Sequence, residues 1–100
     1  MKFRLGQVVV TRGVNNLIVE DDSFAKFVEA SFKRYVTNDW GELSNDDKTM
    51  NDEAIKTSDD RIFAAYKNGT YKIYIITEWD RSVTTILFPN EYWEGLPWKK

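Results

Sequence analysis

Arg61-Ile62-Phe63-Ala64-Ala65-Tyr66-Lys67-Asn68-Gly69-Thr70-Tyr71-Lys72-Ile73-Tyr74-Ile75-Ile76 decides the fold. Asn68-Gly69 is a strong hairpin signal, because both central residues of a type I′ turn need φ above zero. A turn on those two residues sets Tyr66 opposite Tyr71, Ala64 opposite Ile73 and Ile62 opposite Ile75, on one side of the sheet. Phe63, Ala65, Tyr74 and Ile76 take the other side. Apolar residues on both sides are expected of strands in the middle of a sheet.

Downstream, Glu78-Trp79-Asp80-Arg81-Ser82 reads as a connection, Val83 to Phe88 as a further strand, and Pro89-Asn90 as its end. Upstream the rhythm changes from two to 3.6. Phe24, Phe27, Val28, Ser31, Phe32, Tyr35 and Val36 recur at the spacing of one helical face, so the pattern predicts a helix over 22–36. Asp21, Asp22 and Ser23 supply caps and favourable negative charge at its start. Ser44-Asn45-Asp46-Asp47 fits the capping signal of a second helix whose thin apolar face is Met50, Ala54 and Ile55. A short helix over Val14 to Glu20 is a third candidate, weakened by Asn15 and Asn16. Val8, Val9 and Val10 favour a strand within 4–11, with Gly6 and Gly13 marking turns on either side.

The expected fold is therefore one α+β domain over 1–100. Two or three helices pack on a small, mainly antiparallel sheet made of the N-terminal strand and a C-terminal three-stranded meander. The first strand is expected to join an edge of the meander, where its backbone finds partners.

Composition narrows the chemistry. The 100 residues include no Cys and no His, which removes disulfide frameworks, Cys/His zinc sites and histidine-based nucleophile systems. Any general acid or base must be Asp, Glu, Lys or Tyr. Neither a G-x-x-x-x-G-K-[ST] phosphate loop nor a G-x-G-x-x-G fingerprint occurs, and no cofactor is expected. Apolar runs such as Val8-Val9-Val10 and Ile86-Leu87-Phe88 fall far short of the ~20 residues that cross a bilayer, and Met1 to Leu5 lacks the features of a signal peptide. A cytoplasmic protein without membrane contact is expected. The formal net charge of −2 argues against general nucleic-acid binding.

Four features carry candidate function. Trp79, Asp80 and Arg81, with Glu78, form either a recognition loop, in which the guanidinium grips an anion and the indole stacks, or a braced turn. Asp39 to Asp60 holds eight acids against two bases, an excess of six negative charges that includes Asp46, Asp47, Asp52 and Glu53. That stretch is either a docking flank for a basic partner or a solvated helix face. The EF-hand pattern is absent from it, so no metal site is expected. Trp98, between Pro97 and two terminal lysines, is a candidate contact residue, while Tyr92 and Trp93 are expected to close the core. Last, Arg61, Lys67, Lys72 and Arg81 with Phe63, Tyr71, Tyr74 and Trp79 offer a basic, aromatic sheet face for nucleic acid. In a regular strand Tyr71 and Lys72 point to opposite faces, which dilutes it. A hydrolytic pairing of Glu78 and Asp80 lacks the cleft and the separated acid and base that such chemistry needs.

Asp39-Trp40-Gly41, Asn51 to Ala54, Arg61 to Tyr66, Thr77-Glu78-Trp79-Asp80-Arg81-Ser82 and Thr84-Thr85-Ile86-Leu87 together resemble a group of small bacterial proteins associated with plasmids, phages and other mobile elements. The likeness runs from Leu5-Gly6-Gln7 to Glu91-Tyr92 and has no counterpart for 93–100. Some members carry a label as the modification subunit of a type I restriction system. A DNA methyltransferase needs a cofactor-binding domain with a Gly-rich loop and an Asn/Asp-Pro-Pro-aromatic motif, and this chain has neither. The resemblance implies a mobile-element accessory protein and assigns no catalytic residue. The leading expectation is a non-catalytic module that binds another protein, such as a component of host defence or replication; the alternative is a nucleic-acid-binding accessory protein.

Overall fold

The computed structural model describes residues 3–57 and 60–92. The chain runs β1 (Gln7–Val10), α1 (Arg12–Glu20), α2 (Asp22–Val36), α3 (Asn45–Thr57), β2 (Ile62–Asn68), β3 (Tyr71–Thr77) and β4 (Val83–Leu87), then a 3-10 turn over Pro89–Glu91. The strands form one sheet in the order β1-β4-β3-β2. The fold is α+β, as the switch of rhythm implies. The meander β2–β3–β4 is antiparallel, and β1 joins its β4 edge in parallel, with Val8 beside Thr84 and Val10 beside Ile86.

The hairpin turn differs from expectation by one residue. Gly69 has φ +62° while Thr70 does not turn left-handed, the pattern of a type II′ loop on Gly69-Thr70. Asn68 therefore pairs with Tyr71, Tyr66 with Ile73, Ala64 with Ile75 and Ile62 with Thr77. The pairs slip by two positions along the strand, so every side chain keeps its expected face.

Helix starts follow local chemistry. Thr11 Oγ1 accepts from Val14 N at 3.2 Å at the head of α1, and Asp21 Oδ1 accepts from Phe24 N at 3.1 Å at the head of α2. Ser44 Oγ does the same for Asp47 N at 3.1 Å in α3. Gly13, expected in a turn, lies inside the first turn of α1. There a Cβ would come within 2.7 Å of Glu91 Oε2. Glu91 Oε1 in turn accepts from Thr11 Oγ1 at 2.7 Å and Phe88 N at 2.8 Å, tying the end of the sheet to the start of α1.

The main core lies between the helices and one sheet face. Phe24, Phe27, Val28 and Tyr35 of α2 and Val14 of α1 bury against Ile62, Ala64, Tyr66, Ile73, Ile75 and Ile86. The opposite face carries a smaller cluster, in which Ile76 and Leu87 are buried beside Phe63, Tyr74 and Tyr92.

The β2 edge is closed. Gly41, with φ +77°, brings residues 40–42 alongside Ala65, where Glu42 N donates to Ala65 O at 2.7 Å. A Cβ on Gly41 would meet Ala65 O at 2.0 Å, so only glycine allows this approach. Further along, Asn51 of α3 binds the backbone of Phe63. The expected apolar face of α3 is thereby corrected at one position: Asn51 and Ala54 are buried, while Met50 is 61% exposed. The hydrogen-bonding demand of the strand edge turns the amide inward and the thioether outward.

Candidate functional site

The β3–β4 connection is a braced turn. Arg81 N donates to Glu78 O at 2.9 Å, and Arg81 sits in the left-handed region with φ 60°. Its guanidinium reaches Asp60 O at 2.7 Å, Glu78 O at 3.0 Å and Trp79 O at 3.2 Å through one nitrogen, and Ala54 O at 2.9 Å through the other. The Ala54 carbonyl belongs to the last turn of α3, which lacks intrahelical donors, and a cation there also matches the helix dipole. Arg81 is thus occupied by backbone and is not positioned to grip an external anion. Asp80 Oδ1 accepts from Ser82 N at 3.0 Å and Ser82 Oγ at 2.6 Å, and these bonds hold its carboxyl below the usual carboxylate range. Burial, with Asp80 nearby, pushes Glu78 up. The Trp79 indole faces outward, 60% exposed.

The acids of α3 divide in the same way. Asp52 Oδ1 accepts from Trp40 Nε1 at 3.1 Å and so satisfies the indole of a buried ring. Glu53 lies 3.8 Å from Lys56 in an exposed ion pair, a contact worth little to stability. Asp46 and Asp47 stand exposed in the first turn, where negative charge favours the helix. Asp47 also borders a groove.

That groove, of about 290 Å³, opens between α3 and the sheet face opposite α1 and α2. Leu43, Phe63, Tyr74 and Tyr92 supply apolar surface, and Met50, Asp47, Asp60 and Arg61 complete the lining. Phe63 and Tyr74 lie tilted against each other with centroids 4.7 Å apart, and each meets Tyr92 edge to face at 6.1 Å. Arg61 lies over Phe63 and Tyr92 at 5.7 and 5.5 Å, and donates to the Tyr92 hydroxyl. A second, more open depression beside it shares Met50 and Asp60 and adds Glu53 and Ala54. An exposed apolar side chain therefore stands between two hollows rimmed by carboxylates. The sequence places Asp47, Glu53 and Asp60 in the acidic flank but does not mark Met50 or Leu43 as binding surface. Met50 fell on the assumed packed face of α3, and the only available signal for its exposure was Asn51 competing for the interior.

The basic, aromatic set splits. Lys67 stands directly opposite Lys72, and Lys72 lies 5.9 Å from the Tyr74 ring. Tyr71 is on the helix side, stacked on Phe27 at 5.7 Å, and Arg81 is held in its turn. Trp98 and Trp93 lie outside the described residues. Among the described residues no group of three or more His, Cys, Asp or Glu could hold a metal ion, and no helix is long and apolar enough to cross a membrane. No protein-family model matches the chain, and neither a curated protein nor a solved structure matches it.

Proposed function

We propose that this chain is a non-catalytic accessory protein that binds another protein, and that it receives a basic segment of that partner in the groove between α3 and the sheet. The observation that carries the reading is the position of Met50, 61% exposed between two hollows whose rims hold Asp47, Asp60 and Glu53. An exposed, adaptable thioether beside aromatic surface suits an apolar anchor, and the carboxylates favour Lys or Arg on either side of it. The excess of six negative charges over 39–60 extends the same field. The resemblance to mobile-element proteins supplies the setting for such a partner, a component of host defence or replication in the cell that carries the element.

Affinity capture from the native host with the wild-type chain and with the Asp47→Asn/Met50→Lys pair tests this. Both positions are exposed, so the variant keeps its melting temperature to within a few degrees. The reading requires one dominant partner, retained by the wild type, lost by the variant, and released by raised salt. Recovery of background alone, or equal recovery by both proteins, refutes it. A salt-dependent gel shift unaffected by the variant transfers the assignment to nucleic acid.

A further inference from the structure

The two edges of the sheet are treated differently. Along β2 the outward backbone groups of Phe63 and Ala65 are taken by Asn51 and by residues 40–42. Along β1 the outward groups have no such cover. Gln7 N donates to Ser82 O at 3.0 Å and Thr11 N to Ile86 O at 3.1 Å, so the odd-numbered residues point their N–H groups at β4. By the period of two, the N–H and C=O of Val8 and Val10 point away from the sheet. Among the described residues nothing pairs with them. Their side chains are 43% and 37% exposed.

β1 also lacks the usual devices that discourage pairing. Gln7-Val8-Val9-Val10 holds no charge and no proline, and it carries no bulge against β4. Charge appears only beyond its ends, as Arg4 and Arg12, both exposed and neither in an ion pair among the described residues. The carboxylates near this edge are engaged elsewhere: Glu91 with Thr11 and Phe88, and Asp80 with Ser82.

We propose that β1 is a strand-addition site for an extended segment of a partner protein, apolar or β-branched at its centre and acidic at both ends. Main-chain bonds to Val8 and Val10 supply the pairing, and Arg4 and Arg12 select the flanking acids. The same arginines argue against a second copy as the occupant. Pairing β1 with itself gathers four arginines around one short junction, where Glu91 and Asp80 are already bonded to Thr11, Phe88 and Ser82, and a four-residue strand alone buries far less than the ~1,600 Å² of a standard interface. This site is independent of the α3 groove and lies on a different edge of the sheet.

The test uses the 15N-labelled full chain with two capped peptides, Glu-Val-Thr-Val-Thr-Val-Glu and the same sequence with Lys at both ends. The acidic peptide is expected to shift and slow the exchange of the Val8 and Val10 amides while leaving the Val9 amide, already paired to β4, unchanged. At low salt the lysine peptide binds roughly tenfold more weakly. Val8→Pro removes an outward donor without removing a ladder bond and abolishes binding. Should that variant fail to fold, an acidic peptide N-methylated on the edge facing β1 must fail to bind the wild-type chain. Equal binding of the two peptides, shifts confined to the α3 groove, or no shifts at all overturn the proposal. So does a concentration-dependent dimer in which Val8 and Val10 are protected without peptide.

Discussion

The carboxamide of Asn51 stands in for a missing strand beside Phe63: its Nδ2 donates to Phe63 O at 2.6 Å, and its Oδ1 accepts from Phe63 N at 3.1 Å. A buried side chain on α3 thereby satisfies both backbone groups that an edge strand leaves open. Asn51→Ala removes both partners at once and is expected to cost about 2–3 kcal/mol. Asn51→Asp keeps the acceptor but places a carboxylate against the Phe63 carbonyl. Burial and that repulsion raise the folded pKa of the new carboxyl above its unfolded value. The deficit of this variant therefore shrinks as pH falls through the raised value, because the protonated acid can again donate. Urea melts of the two variants at pH 7 and pH 4 check this; an Asn51→Asp deficit independent of pH contradicts it.

Arg81 combines a left-handed backbone with a side chain held by four carbonyls. The two contributions can be separated. Arg81→Ala loses the carbonyl contacts and keeps the backbone strain, for an expected loss of about 2–3 kcal/mol. Arg81→Gly loses the same contacts but relaxes the strain, and should be about 1 kcal/mol more stable than Arg81→Ala. A glycine variant less stable than the alanine variant would show that φ at this position carries no strain.

The architecture was legible because its signals are local and periodic. The apolar face of α2 reads directly from Phe24 to Tyr35, and the faces of β2 and β3 survived even a displaced turn, since a slip of two preserves parity. What the sequence could not disclose were contacts between distant segments. The parallel pairing of β1 with β4 spans the whole chain, and nothing in Gln7-Val8-Val9-Val10 distinguishes a parallel edge from an antiparallel one. Asn51 looks like an ordinary polar helix residue until Phe63 arrives beside it. The site was legible only by residue type: Arg81 and Asp52 are the right chemistry for recognition, yet backbone carbonyls and the Trp40 indole occupy them.

Asp21 and Tyr71 link stability to pH at both ends of the scale. Tyr71 donates its hydroxyl to Asp21 Oδ2 at 2.5 Å, while Asp21 Oδ1 caps α2. The Tyr71 bond, then that from Phe24, holds the Asp21 carboxyl below its ordinary 3.8, and the same carboxylate pushes the Tyr71 phenol above its ordinary 10.0. The Asp21 contribution is present above its unfolded pKa and is lost as pH falls through the lowered folded value. The Tyr71 contribution is full below its unfolded pKa and is lost as pH rises through the raised folded value. The stability gap between wild type and Tyr71→Phe is therefore expected to be widest near neutrality and to narrow in both acid and alkali. Thermal melts across that range measure it, and a gap that grows above pH 10 would reverse the assignment.

A chain of hydroxyls crosses the main core from α2 to the N-terminal segment. Tyr35 Oη lies 2.6 Å from Thr77 Oγ1, which lies 2.7 Å from Thr84 Oγ1, which donates to Leu5 O at 2.7 Å. The carbonyl fixes the direction of the whole chain. Leu5 O can only accept, so Thr84 spends its one proton there and must accept from Thr77, which in turn accepts from Tyr35. Burial of the Tyr35 ring pushes its hydroxyl well above the ordinary tyrosine range, which favours the protonated, donating form. The order of bonds sets the order of losses. Tyr35→Phe removes the first donor and leaves an under-used acceptor on Thr77, a cost of about 1 kcal/mol. Thr77→Val, nearly the same shape, breaks two links and leaves the Tyr35 hydroxyl only the Ile62 carbonyl at 3.4 Å, a cost of about 2–3 kcal/mol. Combining the two should cost less than their sum, because with the tyrosine hydroxyl gone the valine strands nothing on that side. Denaturant melts of the three variants decide the matter, and a Tyr35→Phe loss larger than that of Thr77→Val would mean the protons run the other way.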